Sequence, residues 1–363
     1  MNVLFDNQIF EAQKHGGISR YFVELAMHLK QINNCNSKIF SLTDKNIYLD
    51  KLDTEIYLSS KNKRRQNPFF KNNQATLEKE LNAFPENDTI LHETYYLNKL
   101  NTKHRYVTTI HDMIYEKFNT NTEEEKFVLA KKKESILNSK HIICVSKSTK
   151  DDLLNYFPEA KGKISIVYHG MTPVLDSNVS AFKNEKPYIL FVGNRNWYKN
   201  FFSLLSVYIQ TKELHNDFDL ICFGGSDFID SEKKIIEAYQ FQNKIKHYKG
   251  SDKDLHAIYK GASVLAYLSK YEGFGFPVLE AMQQKCPVIC SSSSSLPEVA
   301  GNAACLIDTG NEQEILKSLN KILYNPILRQ NLINEGTKQV KLFTWEKCAL
   351  NTHEIYKQLI SQN

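Results

Sequence analysis

Along this chain, short apolar runs alternate with stretches whose apolar residues recur at helical spacing. In the first half the apolar runs fall at residues 2–5, 37–42, 89–96, 106–113, 141–145 and 164–171. In the second half they fall at 188–193, 219–225, 263–268 and 287–290. Uninterrupted runs of this length suit strands covered on both faces, as in a parallel sheet. Between them, residues 22–29, 254–260, 278–284 and 345–359 show helical periodicity, and a helix is expected to start at Phe201. Strands alternating with helices predict two α/β domains, each with a parallel sheet. Residues 172–186 break the pattern: they lack apolar periodicity and hold Pro173, Asp176, Ser177 and Asn178. They read as a linker between a domain at 1–171 and a domain at 187–344, with residues 345–363 as a closing helix.

Length supports two domains, since 363 residues exceed what one hydrophobic core usually fills. A hydrophobic fraction of 42% is enough for packed cores. The formal net charge of +5 is too mild to call for nucleic acid. Seven cysteines are scattered with no C-x-x-C pair, and several sit inside apolar runs. They read as reduced and structural, which predicts a cytoplasmic protein. The first residues read as a strand rather than a leader, and no apolar run is long enough to span a bilayer.

Chemistry concentrates where strands end. Glu272 and Glu280 flank a stretch that holds Gly273, Phe274, Gly275, Phe276 and Pro277, followed by a helix from Val278 and Leu279. Glycines let backbone approach a ligand, proline suits a first helical turn, and the free N–H groups of that turn suit a phosphate. Carboxylates on either side can accept hydrogen bonds from sugar hydroxyls. By glycine and glutamate content alone, a loop-to-helix junction with two surface glutamates is the favoured reading. After the strand at 188–193 come Gly193, Asn194, Arg195 and Lys199, two cations able to neutralise a diphosphate. Near the N-terminus, Gly16, Gly17 and Arg20 lie between a strand and a helix. His92, Tyr95 and His111 close two further strands, the side of a sheet where ligands bind in open α/β folds. The basic, aromatic run 61–71 reads as a solvated loop, with an anionic lipid surface as the functional alternative. Asp252 and Asp254 spell a D-x-D, but they open a helix, so capping explains them better than metal.

The stretch from Glu272 to Met282 resembles the E-x7-E signature of family 4 retaining glycosyltransferases with the GT-B fold. The resemblance covers nearly the whole chain. It implies two Rossmann-like domains facing a cleft, with the C-terminal helix crossing back to the first domain. It also implies that His111, Glu272, Lys199 and Arg195 are catalytic. Donor binding would involve Gly16, Gly17, Gly193, Arg195, Lys199, Gly273, Phe274, Gly275, Phe276, Val278, Leu279 and Glu280, the last holding ribose. Residues from Tyr248 to Ser251 begin the stretch that would face the nucleobase. Arg20, His92 and Tyr95 would meet the acceptor. One departure from many relatives is that Asn194, not arginine, follows Gly193 directly.

The residues around Gly16, Tyr95 and Lys199 look most like bacterial surface-polysaccharide mannosyltransferases of the O-antigen type. GDP-mannose is the expected donor, with UDP sugars as the alternative, and a glycan or lipid-linked glycan is the expected acceptor. No metal, cofactor or nucleic acid is expected, and peripheral contact with the inner membrane face stays open. A non-catalytic sugar-nucleotide-binding subunit and an epimerase are the competing readings.

Overall fold

A computed structural model describes the whole chain except residues 42–45, 54, 60–70, 97–101, 174–178, 196 and 363. The chain divides into two compact units: residues 1–170 with 343–363, and residues 171–342.

Unit 1 holds seven strands: β1 Asn2–Phe5, β2 Asn36–Ser41, β3 Tyr57–Ser59, β4 Thr89–Glu93, β5 Arg105–Ile110, β6 His141–Cys144 and β7 Ile164–Ile166. They pair in parallel in the order β3-β2-β1-β4-β5-β6-β7. The order reverses direction between β1 and β4, which places a topological switch point there. Every residue of β4 is buried, and only the first two of β5 are partly exposed. The helix Gly17–Lys30 covers β2 and is itself covered by the last helix of the chain, Trp345–Ser361. That last helix buries Trp345, Cys348, Ala349, Thr352, Ile355, Tyr356 and Leu359, a stripe with helical spacing. Each large apolar side chain buried in this way contributes about 1.5–3 kcal/mol. Its entry requires Gly170, where a Cβ would lie 2.2 Å from the backbone nitrogen of Trp345.

Unit 2 holds β8 Tyr188–Val192, β9 Asp219–Phe223, β10 Ile245–Tyr248, β11 Val264–Tyr267, β12 Val288–Ser291 and β13 Cys305–Ile307. All pair in parallel, in the order β10-β9-β8-β11-β12-β13. The switch point lies between β8 and β11. All residues of β8, β9, β11 and β12 are buried, as their unbroken apolar runs predict. One core of aliphatic and aromatic residues joins β8 and β9 to the helices Phe201–Gln210 and Glu312–Leu323.

Each unit is thus a parallel α/β sheet with covering helices, as the alternation of apolar runs and helical stretches predicts. The described part of 172–186 is not a free-standing connector: Phe182 N–H donates to Ala257 O at 2.9 Å, and Lys260 Nζ donates to Val179 O at 2.7 Å. Of the run 61–71, residues 61–70 lie outside the described residues, and Lys71 opens the helix Lys71–Leu81. Asp252 and Asp254 stand in the first turn of the helix Asp252–Gly261, where Asp254 and Ser251 cap each other. Among the described residues no helix is long and apolar enough to cross a membrane.

Candidate functional site

The carboxyl ends of β8 and β11 are neighbours, so the loops that follow them meet although they are far apart in sequence. The first loop carries Gly193, whose φ of 113° is left-handed and suits glycine. Beside it, Gly225 after β9 comes so close that a Cβ there would lie 3.0 Å from Gly193 O. The loop ends in the one-turn helix Trp197–Lys199. The second loop runs from Leu268 to Gly275 and feeds the helix Phe276–Gln283. Gly275 is its N-cap with φ 102°, and Pro277 sits in the first turn. The free N–H groups of that turn carry the partial positive charge of a helix start.

Lys199 Nζ lies 2.5 Å from Glu272 Oε1 and donates to the Tyr267 hydroxyl at 3.2 Å. Their side chains are nearly buried, at 15% and 10% exposure for Lys199 and Glu272. Burial works against the ammonium, yet Tyr267 and the charge of Glu272 outweigh it, so Lys199 stands above its ordinary value and stays protonated. The Glu272 loop is braced from below by serines. Glu272 N–H donates to Ser294 Oγ at 2.8 Å, while Ser295 Oγ reaches both Glu272 O and Phe274 O at 2.9 Å. Glu280, buried on the helix after the loop, accepts from Tyr259 OH at 3.2 Å. Phe274 and Val278 are buried, Leu279 is wholly buried, and Phe274 and Phe276 pack edge to face.

Arg195 is paired within unit 2, while its Nη1 is buried with no hydrogen-bond partner among the described residues. Its Nε donates to Glu232 Oε1 at 3.0 Å and its Nη2 to Ser226 O at 2.6 Å. Its guanidinium also lies over the Phe228 and Phe201 rings. Both charges of the Arg195–Glu232 pair are buried, at 3% and 1% exposure, which ties Arg195 to the start of the next helix through Nε and Nη2.

In unit 1, His111 follows β5 directly. It is buried, stacks on His169 with centroids 5.7 Å apart, and its Nε2 has no hydrogen-bond partner among the described residues. Burial pushes His111 down to about 3, helped by the nearby Lys132 charge, so the ring is neutral at neutral pH. A buried, unpartnered ring nitrogen is costly unless something binds it. His92 is different. It lies within β4 at 0% exposure, with Nδ1 on Tyr356 OH and Nε2 on Thr109 Oγ1 at 2.8 Å. Both nitrogens serve the core, so His92 offers nothing to an acceptor. Tyr95 is half-buried against Tyr96. Gly16 caps the helix Gly17–Lys30, and half-buried Arg20 lies in its first turn.

Sequence reasoning missed Tyr267, Ser294, Ser295 and Glu232. A tyrosine at the last position of a switch-point strand was the available signal for the first. The serine run 291–295 has no periodicity that would mark two of its hydroxyls as backbone braces.

Residues 15–173 match the family described as Glycosyltransferase Family 4, and residues 175–339 match Glycosyl transferases group 1. O-antigen chain mannosyltransferase B of Escherichia coli is 34% identical over 191 residues, which is 52% of this chain and 49% of that protein. O-antigen chain mannosyltransferase RfbU of Salmonella typhimurium is 28% identical over 193 residues, 52% of this chain and 53% of that protein. The chain thus spans about half the length of these curated relatives. Sucrose-phosphate synthase from Thermosynechococcus elongatus superimposes with a TM-score of 0.75 at 18% identity, covering 100% of both chains, a likeness of fold.

Proposed function

We propose a reaction for a chain that belongs to the family 4 glycosyltransferases with the GT-B fold: transfer of a hexose from a nucleoside diphosphate sugar to a glycan or lipid-linked glycan. GDP-mannose is the proposed donor, which the two O-antigen mannosyltransferase relatives support. The observation that carries the reading is the nearly buried Lys199–Glu272 pair beside a glycine-capped helix start, at the switch point of unit 2.

The pair has the two charges that a sugar diphosphate needs. Diphosphate oxygens take the Lys199 ammonium, which releases Glu272 to accept hydroxyls of the donor sugar. Backbone N–H groups at the start of the helix Phe276–Gln283 face the diphosphate, and Glu280 accepts the ribose hydroxyls. As the bond from the anomeric carbon to the diphosphate breaks, the leaving group keeps the electron pair. Lys199 and the helix start stabilise that growing charge, the main electrostatic demand of the step. The acceptor oxygen attacks from the face the diphosphate leaves, and its proton passes to the departing diphosphate oxygen. Configuration is then retained with no protein nucleophile. His111, neutral and with a spare Nε2, is suited to a hydroxyl of the donor sugar. No metal is required, since the ammonium and the helix start supply the positive charge and Asp252 and Asp254 belong to a helix start.

Purified protein is incubated with radiolabelled GDP-mannose and a polyprenyl-diphosphate glycan acceptor, with and without EDTA. Acceptor-dependent transfer, insensitive to EDTA and with the anomeric configuration kept by NMR, is the expected result. Inversion would overturn the mechanism. Transfer from UDP sugars alone would replace the donor. Turnover of donor with no acceptor would favour an epimerase, and nucleotide binding without any turnover would favour a binding subunit.

A further inference from the structure

Tyr267 is the last residue of β11, 3% exposed, and it stands under both loops of the site. Its hydroxyl accepts from Lys199 Nζ at 3.2 Å, and that same ammonium pairs with Glu272. Its ring edge lies under the left-handed turn of the second loop: a Cβ on Gly275 would be 3.9 Å from Tyr267 Cε1. Lys199 Nζ also lies 5.3 Å from the centre of the Tyr267 ring, so ring and hydroxyl both face the cation. A phenylalanine would fill the same space and keep the same ring face. The hydroxyl is therefore an added feature, hydrogen-bonded to both members of the ion pair, Lys199 and Glu272.

We infer that Tyr267 is a positioning residue: its hydroxyl fixes the Lys199 ammonium at the spot where the terminal phosphate of a nucleoside diphosphate binds. The inference rests on the proposed function, because it assumes that Lys199 meets a diphosphate. The mechanism is geometric. A lysine side chain has four rotatable carbons and loses substantial rotamer freedom when its end is fixed. In the empty site Glu272 and Tyr267 share that task. Once the diphosphate draws Lys199 from Glu272, Tyr267 is the protein group left to hold it. Burial and the Glu272 charge keep the Tyr267 hydroxyl protonated, so it takes no part in proton transfer at neutral pH.

The test is Tyr267→Phe in the full chain, with affinities for GDP, GMP, UDP and UMP measured by calorimetry beside the wild type. A purely structural tyrosine would weaken monophosphate and diphosphate alike or leave both unchanged. A positioning hydroxyl predicts a modest fall in melting temperature, monophosphate affinity within twofold of wild type, and diphosphate affinity down about five- to twentyfold. Equal diphosphate affinity in both proteins would overturn the inference, and so would a parallel loss for mono- and diphosphates. If the wild type itself binds no nucleoside diphosphate, the proposed function fails, a result distinct from either of these. Lys199→Arg serves as a second variant. Its planar fork holds itself better than an ammonium, so adding Tyr267→Phe to it should cost less than twofold. A full additive loss in the double variant would also contradict the inference.

Discussion

At the level of single residues, Lys199 and Arg195 show what local sequence can and cannot assign. Both are cations just past the end of β8, and nothing local separates them. Glu232, 37 positions on, claims Arg195, while Glu272, 73 positions on, pairs with Lys199. The difference is decided by which strands neighbour β8, information that no window of sequence contains. The two glutamates were legible for the opposite reason, since the turn and helix start between them are encoded within a dozen residues. Replacing Glu272 by glutamine removes the charge that holds Lys199 and keeps the shape. The ligand-free protein should then melt at lower temperature, because a nearly buried ammonium loses its partner. Yet nucleoside diphosphate should bind about three- to tenfold tighter, since no ion pair has to open first. Turnover should fall by about a hundredfold or more as the donor sugar loses its charged acceptor. Weaker diphosphate binding by Glu272→Gln, read by calorimetry, would show that the pair does not open. His111→Ala should lower kcat without changing diphosphate affinity, because the proposed function gives the ring a sugar hydroxyl and not the phosphates. A variant with full kcat would remove His111 from the reaction.

Among elements, the helix Phe276–Gln283 and its entry turn depend on two features. Gly275 has φ 102°, and a Cβ there would lie 2.6 Å from Leu296 Cδ2. Gly275→Ala should therefore cost about 1–3 kcal/mol in stability, and it should displace the N–H groups of the first turn. Denaturant melts and nucleotide titration read the two effects separately, and an unchanged midpoint would show that the turn relaxes freely. Ser295→Ala removes the hydrogen bonds to Glu272 O and Phe274 O, and about 1–2 kcal/mol of stability should go with them. The helix and its proline were readable from sequence because they are local. The serine braces were not, because the run 291–295 has no period and its partners lie more than twenty residues back. Most strand positions were likewise readable from unbroken apolar runs, while β3, β10, β13 and the helix Glu123–Asn138 were not. Those strands are only three or four residues long, and the helix spreads its charges around most of its circumference.

Across the whole molecule, the two-domain α/β architecture follows from alternation of buried strands and helices, and the return of residues 343–363 to unit 1 follows from the apolar stripe on the last helix. Acid stability follows from the histidines that unit 1 buries in neutral form. Burial pushes His92 and His111 down to about 3, and His169 well below its ordinary value. The unfolded chain takes up these protons near pH 6.5 while the folded chain does not, so stability is full above that pH and is lost as pH falls toward 3. At pH 5.5 each of His92 and His111 costs about 1.4 kcal/mol. Asp6 opposes them, because burial raises it to about 6 and the folded state gains a proton there as pH falls. Its share at pH 5.5 is about 0.8 kcal/mol, too small to reverse the sign. Melting temperature should therefore fall between pH 7.5 and pH 5.5, and a flat or rising profile would contradict neutral burial of these rings.

The central claim is that unit 2 binds a nucleoside diphosphate through Lys199. Calorimetric titration of wild type and Lys199→Ala with GDP and UDP tests it most directly. The account predicts saturable binding of one of the two by wild type, with affinity at least tenfold weaker in Lys199→Ala and an unchanged fold. Equal affinity in the two proteins, or no binding of either nucleotide by wild type, would contradict it.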